Sequence, residues 1–488
     1  MTRITLFAGL AGIILILLSS FCRSDETGSP DSRHPVRTTS YDMDIRIDYE
    51  DEKIEAECRM TVLNPFDHPV DRIPLLLYRL MRVDSVRDGS GRDLSYSQQV
   101  VSFEDWEKLQ VNFIEIDLAA PLPGGEKTTL DLSYAGYLAG YTETGMLYVK
   151  DRVDPEYTVI RPDCRAYPEV GVPSWKTIRA AGLQEFDYTI RVTVPDSLTV
   201  ANGGRLVEKT SHNGESTYVY QNILPAWRID AAVADYGLLE DHESGMRVFY
   251  FKEDEEGARR IFEAMTNCME LYTDWFGPLA AQSEFSVIAV PEGFGSQADV
   301  TSVLQTRDAF LDPSQLAGLY HEISHLWNVK PLDPLPPRFE SEGLAMFLQY
   351  LAQEKLENQE GVLDNAALRM FEFFQKQCRE NPQLLEIPMI DYGKERLTNF
   401  SYSKGMLFFY ILHKMAGEDA FLNAIGSVYQ NHHDSGASAR DFLAHLEKEL
   451  SLDLGDFYRG WVFSTEAAQS ICTGRSFLEV VNRHIPRE

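Results

Sequence analysis

Cysteine is scarce in this chain. Six occur in 488 residues, too few to build a fold from disulfides, and no C-x-x-C pair is present to suggest a cysteine metal site. Cys58, Cys164, Cys268, Cys378 and Cys472 are widely spaced and are expected mostly as buried small hydrophobes. Basic residues are also short. The 45 Lys and Arg face 75 Asp and Glu, a formal net charge of −30. So acidic a surface repels phosphate backbones and argues against a nucleic-acid partner. No Walker loop occurs, and Gly293-x-Gly295 alone makes no dinucleotide site. What remains is ordinary globular composition, 44% hydrophobic and 25% charged, which excludes a disordered, collagen-like or multi-span membrane protein. The length suffices for two or three domains.

The apolar run near the N-terminus, Ile4–Leu18, is shorter than the roughly 20 residues a membrane span needs. With Arg3 before it and Ser19-Ser20-Phe21-Cys22 after it, Met1–Cys22 reads as an export signal. Cys22 stands where a bacterial lipoprotein is acylated, although Phe21 is bulky for that site; simple cleavage or an uncleaved anchor are the alternatives. The polar, Gly/Ser/Pro-containing stretch 23–37 reads as a tether. The expected location is therefore periplasmic or cell-envelope, with membrane attachment through the N-terminus only.

From residue 38 to 240 the pattern has a period of two. Tyr41, Met43, Ile45 and Ile47 alternate with acidic and basic residues, as do Ile54, Ala56, Cys58, Met60 and Val62. The alternation returns at Thr128–Tyr134 and Phe186–Val194. Half-buried antiparallel strands produce it, and Pro123-Gly124-Gly125 and Asn202-Gly203-Gly204 separate the runs. From 241 to 488 the period lengthens. Ile261, Met265, Cys268, Tyr272 and Trp275 recur at helical spacing until Gly277-Pro278. Phe285–Val290 reads as a short strand, and Asp312-Pro313 as a helix start. The fold class is α+β, a β-rich N-terminal domain followed by a mostly helical one.

The helix that starts at Asp312 carries His321-Glu322-Ile323-Ser324-His325, an H-E-x-x-H motif. Positions i and i+4 share a helix face, so the two imidazoles can hold one metal ion with Glu322 beside its water. A third ligand should be a carboxylate. Arg338-Phe339-Glu340-Ser341-Glu342-Gly343 offers both Glu340 and Glu342, and periodicity cannot choose between them because the following helix is apolar on nearly every side. His432-His433 reads as solvated rather than ligating.

Glu342-Gly343-Leu344-Ala345 resembles the third-ligand segment of the gluzincin aminopeptidases, the aminopeptidase N family. His325-Leu326-Trp327-Asn328-Val329-Lys330 is similar to the related glycyl aminopeptidases. Arg165-Ala166-Tyr167-Pro168 and Tyr402-Ser403-Lys404-Gly405 are similar to further family segments. The resemblance implies a thermolysin-like catalytic domain, one Zn²⁺ held by His321, His325 and Glu342, Glu322 as general base and Tyr402 as oxyanion donor. It implies a peptide or protein substrate. The chain departs from the family in two places. The connection from His325 to Glu342 is two residues shorter, and the G-x-M-E-N stretch that holds a substrate's free amine reads Gly295-Ser296-Gln297-Ala298-Asp299. Ala298 stands where the amine-binding Glu would be; either Asp299 or Glu292 takes over, with Gly295 and Asp299 as the candidate substrate contacts, or the enzyme does not read a free N-terminus. Other readings of the same site are an endopeptidase, another amide or epoxide hydrolase, and a surface protein that keeps zinc without turnover.

Overall fold

The computed structural model describes residues 36–182, 184–281 and 284–485. The predicted export segment, Cys22 and nearly all of the tether lie outside them. Among the described residues no helix is long and apolar enough to cross a membrane.

The period-two segments are strands whose alternate residues are buried, as along Arg37–Asp48 and Lys53–Leu63. These two pair antiparallel with Met43 opposite Cys58 and Ile45 opposite Ala56. They sit in a seven-stranded sheet ordered Arg205–His212, Glu215–Gln221, Asp187–Pro195, Arg37–Asp48, Lys53–Leu63, Lys127–Gly136, Met81–Asp88. One pairing departs from the antiparallel expectation: Arg37–Asp48 runs parallel to Asp187–Pro195. A four-stranded sheet (Tyr96–Phe103, Trp106–Leu122, Val70–Tyr78, Glu169–Val170) supplies the other side of the core. Ile45, Met60, Leu132 and Ile190 of the first sheet and Leu75, Val111 and Ile114 of the second belong to that core.

A three-stranded sheet joins the two halves: Thr199–Asn202, Ala231–Ala234 and Thr158–Ile160. Its side chains alternate between two cores. Ile160, Val200, Ala231 and Val233 enter the β-rich core, while Val159, Ala201, Ala232 and Ala234 enter that of the second half. Successive residues of a strand point to opposite faces, so this small sheet serves both.

The second half contains more strand than its sequence pattern suggests. Tyr236–Asp241, Met246–Phe251, Phe285–Val290, Ser302–Thr306 and Gln297–Asp299 form a five-stranded sheet in that order. Phe285–Val290 is parallel to both neighbours and buried along its whole length, which removes the alternation. Helix Glu255–Phe276 packs on this sheet and ends where Gly277 takes φ +83. The segment after Asp312 is not one helix. It is a 3₁₀ turn Pro313–Gln315, helix Ala317–Ser324 and a second 3₁₀ turn His325–Trp327. Beyond it lie helices Leu344–Leu356, Val362–Glu380, Ser401–Ala416, Glu418–His432 and Ala439–Leu450.

The cysteines need a partial correction. Cys58, Cys164 and Cys268 are free and buried as expected, but Cys378 and Cys472 form a disulfide. A separation of 94 residues hides the pairing from any local reading. It ties helix Val362–Glu380 to helix Glu466–Cys472.

Candidate active site

Helix Ala317–Ser324 places His321 on its fourth-from-last residue and hands the chain to the turn that carries His325. The rings stand edge to face with centroids 5.0 Å apart. His321 Nε2 is 3.4 Å and His325 Nε2 3.6 Å from Glu342 Oε2. The three donors lie within 4.8 Å of one another, as ligands of one small cation must.

The far sides of the rings are held as a metal site requires. His321 Nδ1 is 2.9 Å from Gln349 Oε1, so Nδ1–H donates and Nε2 keeps its lone pair. His325 Nδ1 is 2.7 Å from the Asn328 amide. The rotamer of that amide which offers oxygen to Nδ1–H leaves Nε2 free in the same way. Glu342 is buried, at 5% exposure. Burial pushes its carboxyl up, but Arg338, His325 and His321 outweigh that and hold it well below the usual carboxylate range. Arg338 donates from Nη2 to Glu342 Oε1, which leaves Oε2 for the histidine side. An ionised carboxylate and two neutral imidazoles are a donor set suited to Zn²⁺.

The choice between the two glutamates follows from local backbone. Phe339–Gly343 is a π-turn, entered from Arg338 at φ +66, that leads into helix Leu344–Leu356. Its wider turn breaks the 3.6-residue phase, so helical periodicity could not rank Glu340 against Glu342. Glu342 faces the histidines. Glu340 is pushed up to about 7 by burial and Asp333, and its Oε2 has no hydrogen-bond partner.

Tyr402 comes from helix Ser401–Ala416. Its ring lies 6.1 Å from that of His321 and almost parallel to it. Burial and the Glu342 charge hold its phenol well above the ordinary value, so it is a donor at neutral pH. What brings this helix so close is a backbone contact. A Cβ on Gly343 would fall 2.6 Å from the Gly405 Cα, and one on Gly405 would fall 2.8 Å from the Gly343 Cα. The two glycines let Glu342 and Tyr402 share one site.

Glu322 sits on the other side. Burial raises its carboxyl to about 7, assisted by Glu342 and opposed by His321, Arg228 and the nearby Ala298 N–H. Ala298 lies on Gln297–Asp299, the edge strand of the five-stranded sheet. Gly295 precedes the strand at φ +75, where a Cβ would stand 3.3 Å from Tyr148.

Asp299 has different company from its expected role. It is 6% exposed, and burial and Asp230 raise its carboxyl to about 7, while Arg228 and the N–H groups of Val300 and Trp227 oppose them. It is not among the three residues grouped for a metal. The Asp299 carboxyl is in the company of Asp230 and Arg228, while the neighbouring Ala298 N–H is the group that acts on Glu322. Glu292 is exposed and its charge acts on Asp308. His432 and His433 also stay outside the metal group; His432 Nε2 is 3.3 Å from His445 Nδ1.

Several residues around the site went unread in the sequence. Gln349 stands seven positions after Glu342, two turns along one face, and is a lone amide in an apolar helix. Arg338 and Glu342 are an i,i+4 pair. Those spacings were available signals. The Gly343–Gly405 contact had none beyond the glycines themselves.

Residues 314–461 match the peptidase family M1 domain. The matched stretch carries His321, Glu322, His325, Glu342 and Tyr402, so the candidate zinc site lies within the part of the chain that is similar to that domain. The fold of the chain is similar to solved structures of M1 zinc metallopeptidases. An M1 zinc metallopeptidase mutant from Deinococcus radiodurans, bound to a Tyr-Ser-Ala substrate, is 18% identical, with a TM-score of 0.64 over 88% of this chain and 94% of that one. The same protein without that substrate has a TM-score of 0.63 at 18% identity, over 88% and 95%. A two-domain M1 zinc metallopeptidase mutant bound to L-arginine has 0.58 at 17% identity, over 91% and 95%. A search of curated proteins gives no match to the sequence.

Proposed function

We propose that this chain is an exported zinc peptidase that cleaves peptide bonds without requiring a free substrate N-terminus. The observation that carries the reading is the edge strand Gln297–Asp299, which brings the Ala298 N–H to Glu322 and offers no carboxylate there. An extended peptide can add to such an edge by main-chain hydrogen bonds, which places its scissile carbonyl before His321, His325 and Glu342. Zinc bound by these residues supplies a Lewis acid and lowers the pKa of a water. Glu322 takes a proton from the attacking water and returns it to the leaving amine. The Tyr402 hydroxyl donates to the developing oxyanion, a contact whose loss typically costs about 10²–10³ in rate.

A buried ammonium without a counter-charge costs several kcal/mol. Ala298 has none to give, and Asp299 is turned to Asp230 and Arg228. A free amine therefore gains nothing at this strand. Export is supported by Met1–Cys22 and by the Cys378–Cys472 disulfide, since disulfides persist in oxidising compartments. Attachment through an acylated Cys22 belongs to the same proposal, and a lipid mass on the N-terminal peptide of the native protein is its check.

The test pairs a variant with a substrate comparison. Glu322→Gln should keep one zinc per chain and lose turnover at least about 10²-fold. An unblocked peptide and its N-acetylated twin should be cleaved at comparable rates by the parent enzyme. Wild-type turnover in Glu322→Gln sinks the mechanism. Abolition of cleavage by acetylation makes the protein an aminopeptidase in the strict sense.

A further inference from the structure

Outside the active site, two imidazoles from different helices meet at metal-ligand spacing. His432 ends helix Glu418–His432, and His445 lies in helix Ala439–Leu450. His432 Nε2 is 3.3 Å from His445 Nδ1. The rings stand edge to face with centroids 5.1 Å apart and planes at 76°, close to the 5.0 Å and 88° of His321 and His325. Two nitrogens bound at about 2.0–2.1 Å to one tetrahedral ion stand roughly 3.3 Å apart. The same distance is long for a direct hydrogen bond, since N–H···O bonds cluster near about 2.9–3.0 Å. Read along the chain, His432 has no partner beside it; its partner is 13 residues on, across the turn between the helices.

The far side of His445 is held as a ligand's would be. Its Nε2 is 2.9 Å from Ser427 Oγ, and Asn431 Nδ2 lies 3.3 Å from the same oxygen. With Nε2–H donating to Ser427, Nδ1 keeps its lone pair. Gln349 prepares His321 in the same manner. Burial, His432 and Lys448 hold the His445 ring below the ordinary histidine value, with Glu449 opposing. Both rings are half-buried, so solvent reaches the pair. Among the described residues no third His, Cys, Asp or Glu joins it; Asp441, one turn before His445, is engaged with Ser438 in a capping box. The neighbouring His433 faces other groups: its Nδ1 is 3.2 Å from the Tyr429 carbonyl and its Nε2 3.4 Å from Asp434.

The pair sits on a corner that bears on the active site. The turn between the two helices is pinned to the segment that joins His325 to Glu342. The Ala437 N–H donates to the Lys330 carbonyl and the Leu332 N–H to the Ala437 carbonyl, each at 3.0 Å. The Asp333 carboxylate accepts the Ala439 N–H at 2.7 Å. We propose that His432 and His445 form a second metal site, which takes a late first-row divalent cation (Zn²⁺, Ni²⁺ or Cu²⁺) with water in its other positions and ties the two helices together at this corner. Imidazole donors suit these ions, whereas Ca²⁺ and Mg²⁺ take oxygen.

The test uses the full chain loaded with one zinc and freed of excess metal, titrated with Zn²⁺ in a calorimeter near neutral pH. A second ion should bind, more weakly than the first because it has one protein ligand fewer, and should raise the midpoint of thermal unfolding. H432A and H445A should each weaken this second event about tenfold or more, a loss that removal of a group merely orienting a ligand can already cause, and should remove the rise in midpoint. The first zinc should stay in both. H433A should behave as the parent. With Cu²⁺ as the second ion, electron paramagnetic resonance should show coupling to two nitrogens in the parent and to at most one in H432A or H445A. Absence of a second event in the parent overturns the site. So does a second event that survives both substitutions, or one that H433A removes as fully as H432A does.

Discussion

Two groups of buried charge lie on either side of the edge strand Gln297–Asp299, and they are treated differently. On the β-rich side the charges are mostly matched, with Asp299 Oδ1 an exception. Arg161 and Asp151 are both fully buried and joined by two hydrogen bonds of 2.8 and 2.7 Å. Arg161 also donates to Gln297 Oε1 and the Tyr148 carbonyl. Arg228 is forked onto Asp230 and reaches Asp163, which accepts from Gln297 as well. On the metal side the charges are left over. Lys404 Nζ and Glu340 Oε2 make no hydrogen bond. Lys404 is fully buried, and burial pushes it down to about 7. A saturated network positions parts, whereas an unsaturated one with three converging metal donors is where a ligand completes the set. The first network holds the strand through Gln297; the second surrounds the metal donors.

Predictions that break or sharpen this contrast begin with the ligands. Glu342→Ala removes an ionised donor that no other group replaces, so metal analysis should find zinc largely lost and turnover down at least about 10²-fold. Glu340→Ala should retain zinc, because its carboxyl faces Asp333 rather than the histidines. If the two variants hold equal zinc, the placement of the third ligand fails. Next in size is Asp151→Ala, which strands the buried Arg161 charge. Breaking such a pair from one side costs about 3–5 kcal/mol, to be read as a large fall in denaturant midpoint. A midpoint close to the wild type would show that the network is not the scaffold described above.

The sequence was most legible where one periodicity holds. The alternation from Tyr41 to Ile47 became a strand with alternate residues buried, because one sheet face is wet and the other dry. H-E-x-x-H brought two rings together even though the helix ends between them, since 3₁₀ continuation after Ser324 keeps His325 near the same face. Legibility failed where burial is two-sided or the phase slips. The π-turn at Phe339–Gly343 shifts the register, and apart from Phe285–Val290, which was read as a strand from its short apolar run, the five-stranded sheet went unread. Contacts between distant residues were silent too: Cys378 with Cys472 and Gly343 with Gly405.

Asp299 gives the smallest effect and the finest division between the two groups. It lies on the strand that both networks share, and its carboxyl is raised to about 7 by burial and by Asp230. An unfolded Asp titrates near 4. A folded-state pKa raised above the unfolded one means that the folded form holds the proton more tightly, so its contribution is complete below about pH 4. It is lost as pH climbs through about 7. Asp299→Asn mimics the protonated acid in shape and cannot ionise. Thermal unfolding should show no gain for the variant near pH 4 and a gain that grows to a plateau above about pH 7, on the order of a few kcal/mol at most. The ratio of cleavage rates for free and acetylated peptides should not change. A parent preference for the free peptide that Asp299→Asn abolishes, with or without a stability gain, would move Asp299 from the structural network into the substrate's path and restore it as the amine's partner.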